Sequence, residues 1–128
     1  MAHDRSDRLE TIRRFREFRA EMNERILDSG HLGLKRFMAL DGQAYRDGAL
    51  DVRTKEMLGL VASLVLRCDD CVTYHLERVA ALGVSREECL EVLNVGLVVG
   101  GSIVIPHLRR ALATFDALLA ERAGAPES

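Results

Sequence analysis

Apolar residues recur every three or four positions along almost the whole chain, the spacing of helices that each bury one face. Over about residues 6–28, Leu9, Ile12, Phe15, Phe18, Met22 and Ile26 keep that spacing, with Arg13, Arg14, Glu17 and Glu21 between them. This predicts an amphipathic helix ended by Gly30. A second helix is expected over about 31–45, with Leu34, Phe37, Met38 and Leu40 on one side and the Asp41-Gly42 pair breaking or distorting it. Asp51 has the chemistry of an N-cap for a third helix reaching about Leu66. Its Met57, Leu58, Leu60, Val61, Leu64 and Val65 are apolar nearly all round, which assigns it to the core. A fourth helix over about 69–82 is closed by Gly83. Ser85 and Glu88 have the spacing of a capping box and launch a fifth, to about Val99. Gly100-Gly101-Ser102 breaks it and starts a sixth, to about Arg122, with Pro106 in the early turns where a missing amide matters least. Residues 123–128 are expected to fray. The apolar stretch 92–105 holds Asn94 and a double glycine and is too short to span a bilayer, so it reads as a buried helix junction or a subunit contact. With no strand pattern or internal repeat, the fold class is all-α: a compact domain of about six helices.

At 128 residues the chain is one domain, 1–128. A domain this short buries only about two-thirds of the surface its unfolded chain exposes, so association would help it. The 18 Lys and Arg are scattered among 20 Asp and Glu for a net charge of −2, leaving no electrostatic footprint for nucleic acid. Met1-Ala-His-Asp-Arg leads into a charged helix with no apolar leader segment, which predicts a cytoplasmic protein without a membrane partner. In that compartment thiols are mostly reduced, and a disulfide tends to be catalytic or sensing.

Chemistry concentrates in Arg67-Cys68-Asp69-Asp70-Cys71-Val72-Thr73-Tyr74-His75, a C-x-x-C with a histidine four residues after its second cysteine. Two thiols at this spacing can close into a disulfide, and a histidine one helical turn beyond can take a proton from the second thiol or stabilise its thiolate. Two other readings compete. Cys68, Cys71 and His75 can bind zinc, but a closed structural site needs four ligands, and the chain has no second C-x-x-C or H-x-x-x-H. Alternatively both thiols are inert core residues, against which the two aspartates between them argue for partial exposure. Cys89, the odd cysteine, lies in an amphipathic helix and reads as structural. His31 and His107 have no partner evident in sequence and read as structural or surface residues.

Glu56, Cys68-Asp69-Asp70-Cys71 and His75 together resemble the E-x11-C-x-x-C-x3-H signature of the alkylhydroperoxidase D-like branch of the carboxymuconolactone decarboxylase family. The flanking Arg53-Thr54-Lys55-Glu56-Met57, Ala80-Ala81-Leu82-Gly83-Val84 and Glu87-Glu88 agree with it. The resemblance covers a core motif region of about 50–119, preceded by a helical extension over 6–47. It implies an all-helical fold, a redox pair formed by Cys68 and Cys71, a proton relay containing Glu56 and His75, and subunits assembled as trimers or hexamers. It implies neither a cofactor nor a metal, and its partners are a hydroperoxide substrate and an external dithiol reductant. The lactone-decarboxylating branch does not rely on this cysteine pair, so the motif argues against that reaction.

The relay constrains the fold. On one straight helix Glu56 and Cys68 would be roughly 18 Å apart at about 1.5 Å per residue, too far for proton transfer. A straight continuation is therefore excluded. If the chain reverses near Cys68 and the fourth helix returns beside the third, His75 travels roughly 10 Å back toward Glu56, and two side chains and a water can bridge most of the rest. Glu56 of another subunit is the arrangement left open. Asp70 stands where well-developed members of the branch carry a second histidine. An anion there raises the thiol pKa of Cys71 and predicts weak peroxidase turnover. The expected function is a thiol-dependent peroxidase or thiol–disulfide oxidoreductase, with Cys71 favoured as nucleophile because His75 lies one turn away and Cys68 as resolving thiol. The reverse assignment stays open, since a cysteine at a helix N-terminus is also activated and Cys68 lies nearest that end. The alternatives are a redox sensor or structural oligomer of the same fold, or a zinc protein.

Overall fold

The computed structural model describes the backbone of residues 2–124 and the side chains of residues 5–124. In chain order the helices are α1 (Ala2–Asp28), α2 (Leu32–Ala44), α3 (Val52–Val65), α4 (Asp69–Ala81), α5 (Arg86–Gly100) and α6 (Ile105–Gly124), the last preceded by a 3-10 turn at Ser102–Val104. No strand occurs among the described residues, and no helix among them is long and apolar enough to cross a membrane.

The caps form where the sequence signals them. Asp51 accepts from the Thr54 amide at 2.8 Å, and Ser85 and Glu88 close a reciprocal capping box. His31 proves to be structural: its Nδ1 accepts the Leu34 amide and caps α2. At the end of α4, Gly83 takes φ 82°, and the amides of Gly83 and Val84 bond back to Ala80 and Val79. Three expectations need correction. α1 begins at Ala2 instead of about residue 6, and α2 runs through Asp41-Gly42 unbroken to Ala44. A helical glycine costs only about 1 kcal/mol, which the contacts of that end can offset: Tyr45, the C-cap of α2, packs its ring on His75 at 5.5 Å. α6 continues through Ala123 and Gly124, while residues 125–128 of the expected frayed tail lie outside the described residues.

The core lies between α3, α4, α5 and α6, where Leu60, Leu64, Leu76, Val79, Leu93 and Phe115 are fully or almost fully buried, and α1 inserts Ile12. Arg16 fastens α1 to its neighbours, bonding Glu77 of α4 and, at 2.8 Å, Glu121 of α6. α2 buries none of its residues. The third helix is less interior than its composition predicts: Leu58 is 55% exposed, although Leu60 and Leu64 of the same helix are wholly buried. Stretch 92–105 is likewise divided. Leu93 and Val104 are buried, whereas Val98 and Val99 are 76% and 68% exposed.

Candidate active site

The chain reverses near Cys68 through a tight helix-ending turn. Leu66 closes α3, Arg67 adopts φ 61°, and the amides of Arg67 and Cys68 bond back to Leu64 and Ser63. This is the pattern that usually recruits glycine at the left-handed position. It delivers Cys68 directly as the N-cap of α4, where its Sγ accepts the Cys71 amide at 3.3 Å. With Cα atoms 5.3 Å apart, Cys68 and Cys71 are joined in a disulfide. Cys68 is half-buried and Cys71 exposed, so the pair sits at a helix N-terminus with its second sulfur facing outward. Such a terminus, with its unpaired amides and positive dipole end, favours a thiolate.

Because α4 returns antiparallel to α3, His75 meets Glu56 directly: its Nδ1 lies 2.7 Å from the carboxylate, with no bridging water needed. Glu56 is only 2% exposed. A carboxylate that deep requires partners, and its second oxygen lies 3.5 Å from Nε of Arg78. With the Nδ1 proton directed at Glu56, the opposite ring nitrogen, Nε2, is the one left to exchange a proton. A residue absent from the sequence argument sets the ring's place. A Cβ at Gly59 would stand 2.6 Å from Cε1 and 2.8 Å from Nε2 of His75, and 2.8 Å from the Tyr45 hydroxyl. Only glycine admits both groups there. Burial, reinforced by the Glu56 charge, raises the pKa of Tyr45 and keeps its hydroxyl protonated.

Cys71 and His75 line one cavity of about 370 Å³, with Tyr45, Tyr74, Phe15 and Met22 among its other walls. α1 supplies Phe15, Phe18, Arg19 and Met22 to this cavity. Arg19 stacks over Tyr74 at 4.1 Å, and Tyr74 meets His75 edge-on at 5.2 Å. Asp41 and Asp70 add carboxylates. Of the residues expected at the site, Cys71 and His75 line this cavity, while Cys68 and Glu56 do not and are tied to it through their bonds to Cys71 and His75. Tyr45 and Gly59 were missed; a glycine inside an apolar helix was the available signal for close approach. The three proposed zinc donors are otherwise engaged, since the sulfurs are bonded to each other and His75 to Glu56. Among the described residues no group of three or more His, Cys, Asp or Glu side chains could hold a metal ion.

His107 is a correction. It has a partner after all, Asp69, whose carboxylate lies 2.7 Å from its Nδ1 and 2.9 Å from Nε of Arg110. Partial burial of Asp69 works to raise its pKa, but the His107 hydrogen bond and the Arg110 charge prevail and hold it below the ordinary value. Cys89 is inert by contrast: burial, with the Asp116 charge adding to it, pushes its thiol up to about 12.

The family model for the carboxymuconolactone decarboxylase family matches residues 32–114. The chain is 33% identical over 82 residues to an uncharacterized protein of Cupriavidus necator, covering 64% of this chain and 73% of that one. It is 30% identical over 80 residues to uncharacterized protein 4 in the cox locus of Paracoccus denitrificans, covering 62% and 72%. A Thermotoga maritima crystal structure superposes with a TM-score of 0.83 at 54% identity, covering 87% of this chain and 94% of that one. That protein is described as a carboxymuconolactone decarboxylase family protein for which involvement in an antioxidative response has been suggested. A Legionella pneumophila protein of the same family aligns at 26% identity with a TM-score of 0.64, over 92% and 96% of the two chains.

Proposed function

The chain belongs to the carboxymuconolactone decarboxylase family, and from that membership and its dithiol site we propose that it is a thiol-dependent peroxidase or thiol–disulfide oxidoreductase. The observation that carries this reading is the opening of Cys71, the exposed half of a closed disulfide, onto the same largely apolar cavity as His75, which is backed by a buried glutamate. The antioxidative role suggested for the Thermotoga maritima relative supports it.

In the reduced protein, His75 takes the Cys71 proton through Nε2, and Glu56 stabilises the resulting imidazolium. The thiolate attacks the terminal oxygen of a hydroperoxide. An S–O bond forms, the O–O bond breaks, and the departing alkoxide takes the proton and leaves as an alcohol. Cys68 then attacks the sulfenic sulfur, forming the S–S bond as water leaves. An external dithiol returns the pair to two thiols and is itself oxidised to a disulfide. The test is hydroperoxide consumption with a small dithiol as recycling reductant. Turnover is expected in the wild type and absent in Cys71→Ser; equal rates in both would defeat the proposal.

The same reading includes a homo-oligomer, trimer or hexamer, working in the cytoplasm. The exposed Leu58, Val95, Val98, Val99 and Ile103 support association, and light scattering on dilute protein should report a mass above that of one chain.

A further inference from the structure

We infer that His107 and Arg110 are positioning residues for the dithiol: by holding Asp69 they counter the carboxylate beside Cys68 and make thiol acidity follow pH through the charge of His107. The inference rests on the redox reading of the site.

Asp69 occupies the first turn of α4, between the two cysteines. Its backbone accepts from the Thr73 hydroxyl, and its side chain turns to α6, where His107 and Arg110 each take one carboxylate oxygen. Arg110 also lies 3.3 Å from Nδ1 of His107, so the three form a closed cluster. The cluster joins the redox turn to the start of α6. The other charged groups facing it are Asp70 of α4 and Arg8 of α1, which line one cavity together with Asp69 and Arg110; no charged side chain of α5 is bonded to it.

Electrostatics gives the sign. A thiolate formed at Cys68 or Cys71 lies beside two carboxylates, Asp69 and Asp70, which disfavour it. Arg110 and a protonated His107 offset that repulsion. Of these residue types, histidine is the one whose ordinary charge change falls between about pH 5 and 8. With His107 protonated the cluster carries one more positive charge, and the thiolate is favoured; when the imidazole is neutral, this support is withdrawn. The device steadies thiol acidity on the acid side, where a free cysteine would be almost wholly protonated and unreactive. The depressed pKa of Asp69 agrees with a carboxylate held charged in this arrangement.

The experiment is the rate of iodoacetamide alkylation of the fully reduced, full-length protein against pH, for wild type, His107→Gln, Asp69→Asn and Arg110→Gln. At pH 6 His107→Gln should react about threefold more slowly than wild type, and above pH 8 the two should converge. Arg110→Gln should be slower at every pH. Asp69→Asn should be faster, since it removes an anion and leaves both cations in place, and the differences should shrink in 1 M salt. A purely structural role predicts loss or gain of the same sign in all three variants. Superimposable wild-type and His107→Gln profiles, or an Asp69→Asn protein slower than wild type, would overturn the inference; Arg110→Gln carries the test if His107→Gln fails to fold. Failure of the redox reading itself looks different, because the wild type would then show no Cys68–Cys71 disulfide after oxidation.

Discussion

Two histidine–carboxylate pairs flank the disulfide, and they share one bond length while differing in everything else. His75–Glu56 and His107–Asp69 both stand at 2.7 Å. In the first, the glutamate side chain is 2% exposed and the imidazole 10%; in the second the corresponding figures are 46% and 19%. Water screens the second pair, and exposed pairs contribute about 0–1 kcal/mol. The first pair is held out of water, where each member is costly to leave alone. Distance alone therefore says little about what an ion pair does. The buried pair is committed to one arrangement and suits a proton relay, whereas the exposed pair responds to pH and salt and suits tuning.

Breaking the buried pair should have the largest effect. Glu56→Ala leaves His75 facing an apolar void and should destabilise the protein by about 3–5 kcal/mol, read as a lower urea midpoint. Glu56→Gln, which keeps shape and a hydrogen-bonding oxygen, should cost clearly less; equal losses would mean that packing, not the pair, holds this region. Gly59→Ala comes next. Its methyl group must displace His75 or Tyr45, at a cost of about 1–3 kcal/mol for the overpacking, and peroxide turnover should fall far more than stability does. A variant with normal turnover would show that the ring has room to move.

The exposed pair should give the smallest effect on stability and the clearest pH signature. Because the folded pKa of Asp69 lies below its ordinary value, the clamp stabilises the protein above the unfolded aspartate range, near pH 4. That contribution is lost as pH falls through the lower, folded value. Wild type should thus lose stability relative to Asp69→Asn in acid, while at pH 7 the two differ by at most about 1 kcal/mol. Melting curves at pH 7 and pH 3 decide this; a constant difference between the two proteins would rule out the clamp as a source of pH dependence.

The contrast between the pairs also governs what the sequence reveals. Glu56 and His75 belong to two helices joined by a turn, so their spacing along the chain nearly determines their meeting once the chain reverses at Cys68. That one straight helix cannot carry the relay was legible from geometry, but the left-handed Arg67 that makes the reversal was not, since nothing in that residue type signals a positive φ. His107 and Asp69 meet only because α6 packs on α4, a tertiary fact with no fixed spacing to read. Tyr45 is similar: it reaches His75 because α2 continues past a pair that ordinarily favours a turn. Helix caps were readable because Asp51, Ser85 and Gly83 act through neighbouring amides. Burial was not, because the apolar faces of α3 and α5 look alike in sequence whether they meet their own chain or not.

The central claim is that Cys71 attacks and Cys68 resolves. Its most direct test is mass spectrometry of the Cys71→Ser and Cys68→Ser proteins after one equivalent of an alkyl hydroperoxide, with dimedone present to trap sulfenic acid. The account predicts a trapped adduct on Cys71 in the Cys68→Ser protein and none in Cys71→Ser, while wild type loses two hydrogens within the peptide holding both cysteines. An adduct on Cys68 in the Cys71→Ser protein, with the Cys68→Ser protein inert, would contradict it.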